Sequence, residues 1–535
     1  MDLESVMKKY DRESNVRIWE GGPKIVVTSI LAAFSLFCVY VTLFASWLEE
    51  LRLTSIVAFI ILLGYLVFPA RKGKQRINHI PWFDWILMIL GTGSVLYFTF
   101  NAMSIIQQGS MLKWYQILIG IIAIMSLAEV ARRTVGLPIL IVAAVFLTYA
   151  LIWGLTNPSF KGRLNLTIKN LFYSKEGVFS TPINVCSKFI AVFIIFGAFL
   201  ERSGIADFFI KISNAIVGGF SGGTAKVAVV ASALEGMVSG SSVANTVGSG
   251  AVTIPLMKKA GYKPEFAAAA EAAASTGGQI MPPIMGAAAF LMADFVQLPY
   301  STIVGKAILP AALYFAGIFI AVHLEAKKKG LKGLSKEELP KLKPLLKQIY
   351  LMTPIFLLIY LVSSGSNSIQ FAAALSILAA IAVSMFNKNY RMNPRKILDA
   401  LAAGAQGTIT VAAASGIAGI IAGSIAGTIT MTGLADTMIK GIVALAGDQV
   451  IIGLVLTMLC CIVLGMGVPT TANYCIMAAT CVPILIKMNV PDVAAHFFVF
   501  YFGIVADLTP PVALAAYAGA AIGQASPIKS AFTAT

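Results

Sequence analysis

Charge is what this sequence has least of: only 12% of its 535 residues are charged while 58% are hydrophobic, too little to cover a soluble fold of that length. Histidine and cysteine are also scarce, at three and six residues. The cysteines (38, 186, 460, 461, 475 and 481) lie in or beside apolar runs without a CxxC, and the histidines are scattered. Neither a disulfide framework nor a metal centre is indicated, and the cysteines read as small apolar packing residues. No HExxH occurs, and no nucleophile with a partnering base falls at membrane depth, so a membrane-embedded enzyme lacks its catalytic set. Arginine is absent after Arg395.

What the chain has instead is long apolar runs, and its composition is that of a polytopic membrane protein with an all-α fold. The net charge of +16 does not imply a nucleic-acid partner, because the basic residues gather in short segments between apolar runs, notably 71–76 (RKGKQR) and 327–347. The run at 24–46 is too long for a signal-peptide core and lacks a cleavage pattern, which predicts a retained first span. A span needs roughly 20 apolar residues. Candidates are 24–46, 53–70, 82–101, 112–131, 136–155, 178–200, 265–294, 300–322, 347–363, 369–387, 404–428 and 493–525. Twelve crossings with a cytoplasmic N-terminus put every basic loop inside, along with the C-terminus.

Two apolar regions do not read as simple crossings. Residues 224–259 carry the polar turn SGSSVANT at 239–246, and residues 450–488 carry GMGVPTTAN. Arms of about 14 residues reach only about 21 Å into a core about 30 Å thick, which predicts re-entrant hairpins that enter and leave on one side. The chain has only two Pro-Pro pairs, Pro282-Pro283 and Pro510-Pro511, and they are 228 residues apart. So are Asn245 and Asn473, and Pro255 and Pro483; with a one-residue shift, SGIADFFIKI (203–212) matches TGLADTMIKG (432–441). The duplicated units are 112–294, with hairpin 224–259 and broken span 265–294, and 345–525, with hairpin 450–488 and broken span 493–525. Residues 295–344 connect them through one span and a basic loop. If 203–218 and 430–447 do not cross, an odd number of crossings inverts the second copy, and inverted repeats with broken helices place a substrate between them near the midplane.

Unpaired backbone at membrane depth must face protein or a water-filled cavity, so the turns and breaks point inward. Gly240 permits the reversal, Gly277 and Gly278 permit close backbone approach, and the Pro-Pro pair stops the helix. The candidate substrate-binding set is Ser241, Ser242, Asn245, Gly277, Gly278, Thr470, Thr471, Asn473 and Thr509. Candidate cation ligands are Ser239, Asn245, Thr246, Gly278, Gly467, Asn473 and Asp507, a hard-oxygen set suited to Na⁺. Glu235, Glu271 and Asp507 are the coupling candidates, because acids inside a membrane span are functional by default. Asp507, whose repeat mate is Gln279, reads equally as a cation ligand or a proton carrier. With no arginine in a hairpin or broken span, helix N-termini, hydroxyls and amides would hold a carboxylate. Lys188, Lys226, Lys306 and Lys440 read as snorkelling residues and His496 as packing.

The stretch SGSSVANTVGSGAVTIPLMKKAGYKPEFAAAAEAAASTGGQIMPPIMGAAAFLMADF (239–295), with its partner through DLTPPVALAAYAGAAIG, resembles the fused permease of tripartite ATP-independent periplasmic (TRAP) transporters, most closely the TAXI branch. The resemblance covers 112–525 for the large subunit and 1–105 for the small one, with three helices where the family usually has four. It implies a multi-pass symporter of the bacterial cytoplasmic membrane that works by an elevator motion, coupled to Na⁺ or H⁺. It also implies a soluble TAXI-type binding protein that delivers a small carboxylate such as glutamate, 2-oxoglutarate or a C4-dicarboxylate. The competing reading is a divalent anion/sodium symporter without a soluble partner, for which the N-terminal module has no obvious use.

Overall fold

The structure, a computed structural model, describes residue 6 and residues 15–71, 76–108, 111–153, 159–335, 337–364, 368–387, 389–432 and 449–535; of 149, 150, 153 and 422–432 it describes the backbone alone. The described residues form helices and no strand. Helices α1 (Gly21–Leu43), α2 (Glu49–Val67), α3 (Trp82–Gln107) and α4 (Trp114–Thr134) lead the chain. They are joined at one end by charge. Asp84, fully buried in the first turn of α3, pairs with Arg17 and, at 2.6 Å, with Arg133 in the last turn of α4. Arg133 also reaches Glu129 at 2.8 Å and lies over the Tyr65 ring, whose hydroxyl donates to the Ser126 carbonyl at 3.2 Å. Charges so buried persist only when paired and hydrogen-bonded on all sides.

The first copy continues with α5 (Leu137–Trp153), α6 (Phe160–Phe172), α7 (Thr181–Arg202), α8 (Ile205–Val217), α9 (Gly223–Ser239), α10 (Ser242–Lys259), α11 (Pro264–Gly277) and α12 (Ala288–Phe295), after which α13 (Tyr300–Lys328) connects the halves. The second comprises α14 (Thr353–Ser364), α15 (Ile369–Ser384), α16 (Pro394–Thr432), α17 (Val450–Gly465), α18 (Thr470–Thr480), α19 (Val482–Lys487), α20 (Asp492–Val505) and α21 (Leu514–Gly523), and α22 (Pro527–Ala534) packs against α11 and α21.

Among the described residues seven helices are long and apolar enough to cross a membrane: α1–α4, α7, α13 and residues 394–421 of α16. The other predicted spans are apolar but shorter. Two of them, 265–294 and 493–525, are interrupted in the middle, and 347–363 begins with a 3₁₀ turn at Ile349–Met352.

The span expected at 404–428 begins ten residues earlier. Its 39 residues form one helix about 58 Å long, more than a hydrocarbon core is thick. In the first copy the equivalent stretch is split between α6 and α7. There Gly177 lies so close to the Leu171 backbone that a Cβ would sit 2.1 Å from its carbonyl oxygen, and Pro182 starts the next helix. No such breaker follows Pro394. Of the expected surface segment 430–447, residues 433–447, with most of TGLADTMIKG and Lys440, lie outside the described residues. Lys226 is buried, with its ammonium 5.2 Å from the Phe319 ring centre.

Candidate functional site

Each copy contributes a turn and a break. Helices α9 and α10 run antiparallel, joined only by Gly240 in the left-handed region (φ 62°) and extended Ser241, whose hydroxyl caps the Ala244 amide at 3.3 Å. In the second copy α17 and α18 are separated by Met466–Pro469, with Gly467 left-handed at φ 72°. Beyond a 3₁₀ turn (Gly278–Ile280), residues 281–287 separate α11 from α12, and residues 506–513 separate α20 from α21; each gap contains its Pro-Pro pair. Met285 and Ala513, which share the repeat spacing, both take positive φ, so the two breaks follow similar paths.

The four pieces meet in one chain of hydrogen bonds. Ser242 donates to Asp507 at 2.6 Å, Gln279 donates to the same carboxylate oxygen at 3.4 Å, and Thr470 donates to the Gln279 side-chain Oε1. Ser242 and Thr470 are 228 residues apart, as are Gln279 and Asp507. The chain is therefore symmetric about the Gln279–Asp507 contact, each break residue receiving the hydroxyl of the opposite copy's turn. Gln279 was visible in the sequence only as the mate of Asp507; that the mates touch required the structure.

The repeated asparagines sit just behind. Asn245 donates its amide to the Ser232 carbonyl at 3.1 Å and the Ser275 carbonyl at 3.4 Å, and Asn473 donates to the Gly503 carbonyl at 2.9 Å. Ser275 and Gly503 again share the repeat spacing. Both asparagines are buried, and the Oδ1 atom of each has no hydrogen-bond partner. An orphaned buried acceptor costs about 1–3 kcal/mol, and an unpartnered amide oxygen in both copies is a donor atom that suits a hard cation or a water. Glycines clear the approach: a Cβ on Gly278 would come 2.5 Å from the Gly236 Cα and 3.1 Å from the Asn245 amide, and one on Gly465 would come 2.6 Å from the Asn473 amide.

In front of the turns lies a cavity of about 360 Å³. Ser239, Ser241, Ser242, Gly467, Thr470, Thr471, Asp507 and Glu235 line it, and Glu201 opens it to the surface. Phe193, Phe209 and Phe290 supply apolar wall. Its described lining holds three carboxylates and no lysine, arginine or histidine. The first turns of α10 and α18 both start at this wall and direct unpaired backbone N–H groups there.

Other predicted residues lie elsewhere. Gly277 packs on Tyr314 and Phe315; Thr246 and Thr509 donate within their own helical turns, to the Ser242 and Val505 carbonyls. Glu271 is fully buried among hydroxyls between α9, α10 and α11. His496 is held by Tyr474 at 2.7 Å and packs against Phe295.

The family model described as "Tripartite ATP-independent periplasmic transporter, DctM component" matches residues 122–534. The C4-dicarboxylate TRAP transporter large permease protein DctM of Vibrio cholerae is 28% identical over 210 residues, 39% of this chain and 44% of that protein. The sialic acid TRAP transporter large permease protein SiaM of the same organism is 22% identical over 334 residues, 62% of this chain and 76% of that one. The isethionate TRAP transporter permease protein DctMQ of Oleidesulfovibrio alaskensis is 24% identical over 348 residues, 63% of this chain and 52% of that one. The matched part thus spans less than half of the C4-dicarboxylate relative.

Proposed function

Because the chain belongs to the tripartite ATP-independent periplasmic transporter family through its DctM component, we propose that it is the permease of a secondary active symporter that imports a small organic acid across the bacterial cytoplasmic membrane. The observation carrying this reading is a cavity onto which both turns and both breaks converge, with an orphaned asparagine oxygen behind each turn. The N-terminal turns of α10 and α18, with the Ser241, Ser242, Thr470 and Thr471 hydroxyls, hold the carboxylate. Asn245 and Asn473 contribute oxygen to one cation each, Na⁺ in this reading, and Asp507 couples the two copies. H⁺ is the alternative coupling ion.

The acid-only lining supports coupling. While Asp507 and Glu235 are ionised, a carboxylate arriving alone beside them is repelled, by about 4 kcal/mol per pair at 4 Å in a medium of effective dielectric 20. Entry is favoured only when cations enter too. The hairpins and broken spans move as an elevator against α13, α16 and the N-terminal helices, and a soluble TAXI-type binding protein delivers glutamate, 2-oxoglutarate or a C4-dicarboxylate from outside. Thr134, Val135 and Glu201 lie at helix ends that the charge pattern places in the cytoplasm, so this form is inward-facing.

The test is uptake of labelled glutamate, 2-oxoglutarate or succinate into proteoliposomes of the full chain with its binding protein. Accumulation under an inward Na⁺ or proton gradient, and none under K⁺, is expected. No accumulation of any of these acids under either gradient overturns the reading.

A further inference from the structure

Glu271 is a carboxylate with 0% exposure that neither the cavity nor the orphaned asparagines account for. Four hydroxyls from three helices surround it. Ser232 of α9, Ser249 of α10 and Ser275 of α11 reach Oε1 at 2.6, 2.5 and 3.2 Å, and Thr253 of α10 reaches Oε2 at 2.5 Å.

The repeat supplies a control for this arrangement. At the same 228-residue spacing the second copy has Cys460, Met477, Gly503 and Cys481 in place of the hydroxyls and Val499 in place of the acid. Those positions are packed as an apolar core, with Met477, Cys481 and Val499 at 0% exposure. The fold therefore does not require the polar set: five coordinated differences convert a core into a carboxylate cage, in one copy only.

We propose that Glu271 is a proton-binding site of the transport cycle, loaded from the cavity through Glu235. This rests on the symporter reading above and adds a coupling proton to it. Cage oxygens 2.5–3.2 Å from the carboxylate share protons with it and leave no space for a metal ion between them. The cage also satisfies both forms of the acid. The carboxylate accepts from all four hydroxyls. When it is protonated, the Ser249 hydroxyl turns to the Asn245 carbonyl at 2.7 Å, or the Thr253 hydroxyl to the Ser249 carbonyl at 3.1 Å, and accepts the new O–H. The Glu271 carboxyl keeps a hydroxyl partner in either state, so the proton can be exchanged without unfolding the hairpin.

The route is short. Glu235 lines the cavity, and its Oε2 is buried without a partner. Its other oxygen lies against Gly248, 2.7 Å from where a Cβ would stand, one residue before Ser249. A proton passes from cavity water to the Glu235 carboxylate, and then, by relay through the Ser249 hydroxyl, to Glu271. Other ionisable groups on the packed helices point away: Lys226 lies over Phe319, Lys258 donates to the Gly523 carbonyl, Tyr314 to Ala273 and Tyr517 to Pro511. Lys259 and Lys529 are exposed, Glu265 sits at the start of α11, and on α20 His496 is held by Tyr474 with Tyr501 against Tyr314.

Infrared difference titration of the full chain in nanodiscs tests this without a substrate. The wild type is expected to show a carboxylic-acid band that converts to carboxylate across the titration and is shielded from bulk solvent. Glu271→Gln removes that band. Gly248→Ala, which displaces Glu235, keeps the band and slows its exchange with deuterated water at least several-fold. A wild type without a shielded titrating band, or a band that survives in Glu271→Gln, overturns the proposal whatever the variant's yield. Labelled Na⁺ binding in parallel separates the two readings: it persists in Glu271→Gln if the asparagine sites stand, and is lost in Asn245→Ala with Asn473→Ala.

Discussion

Replacing Asn473 by alanine should leave stability nearly unchanged without the coupling ion and lower it when the ion is bound. Without it, the variant loses the amide bond to the Gly503 carbonyl, worth about 1 kcal/mol, but also removes an orphaned Oδ1 that costs about 1–3 kcal/mol. The two nearly cancel, and the apo variant should unfold within about 1 kcal/mol of wild type, far less harm than truncating a buried side chain usually does. With Na⁺ at about 100 times its dissociation constant, each occupied site stabilises the wild type by about 2.7 kcal/mol. Asn473→Ala should forfeit one such increment, Asn245→Ala the other, and the double variant both. Thermal unfolding in nanodiscs, in NaCl against matched KCl and choline chloride, reads all three. Equal Na⁺-specific gains in wild type and double variant would show that the orphaned oxygens do not hold the ion.

Three further outcomes follow from the same geometry. Gly236→Ala places a Cβ 2.1 Å from the Gly278 Cα, so α9 must move by about 1 Å; overpacking of about 1–3 kcal/mol and a loss of transport beyond the loss of folded protein are expected, measured by uptake normalised to monodisperse protein. Ser242→Ala and Thr470→Val each remove one hydroxyl of the symmetric chain, and a double-mutant cycle on substrate affinity should show coupling of about 0.5–3 kcal/mol, since both act through Gln279 and Asp507; strict additivity would break the link. Asp84→Ala leaves Arg17 and Arg133 buried without their shared acid and should cost about 3–5 kcal/mol, seen as a lower unfolding temperature and proteolysis between α3 and α4.

The sequence by itself determined the membrane class, the 228-residue spacing of its matching residues and the places where helix must stop. Hydrocarbon imposes long apolar runs, and a polar turn or a Pro-Pro pair inside such a run has few structural explanations. The 228-residue spacing ties Asn245 to Asn473 and Gln279 to Asp507. Helix lengths were less legible: α16 runs on from Pro394 because nothing after that residue breaks it, whereas Gly177 and Pro182 divide the corresponding stretch of the first copy. Only the tertiary structure decided which polar residues share a site. It brought the two turns to one cavity, set Thr246 and Thr509 aside on their own helical carbonyls, and gathered Ser232, Ser249, Thr253 and Ser275 around Glu271. Periodicity tells which face of a helix is polar. Which other helix that face meets is set by packing between segments hundreds of residues apart, and no local pattern records it.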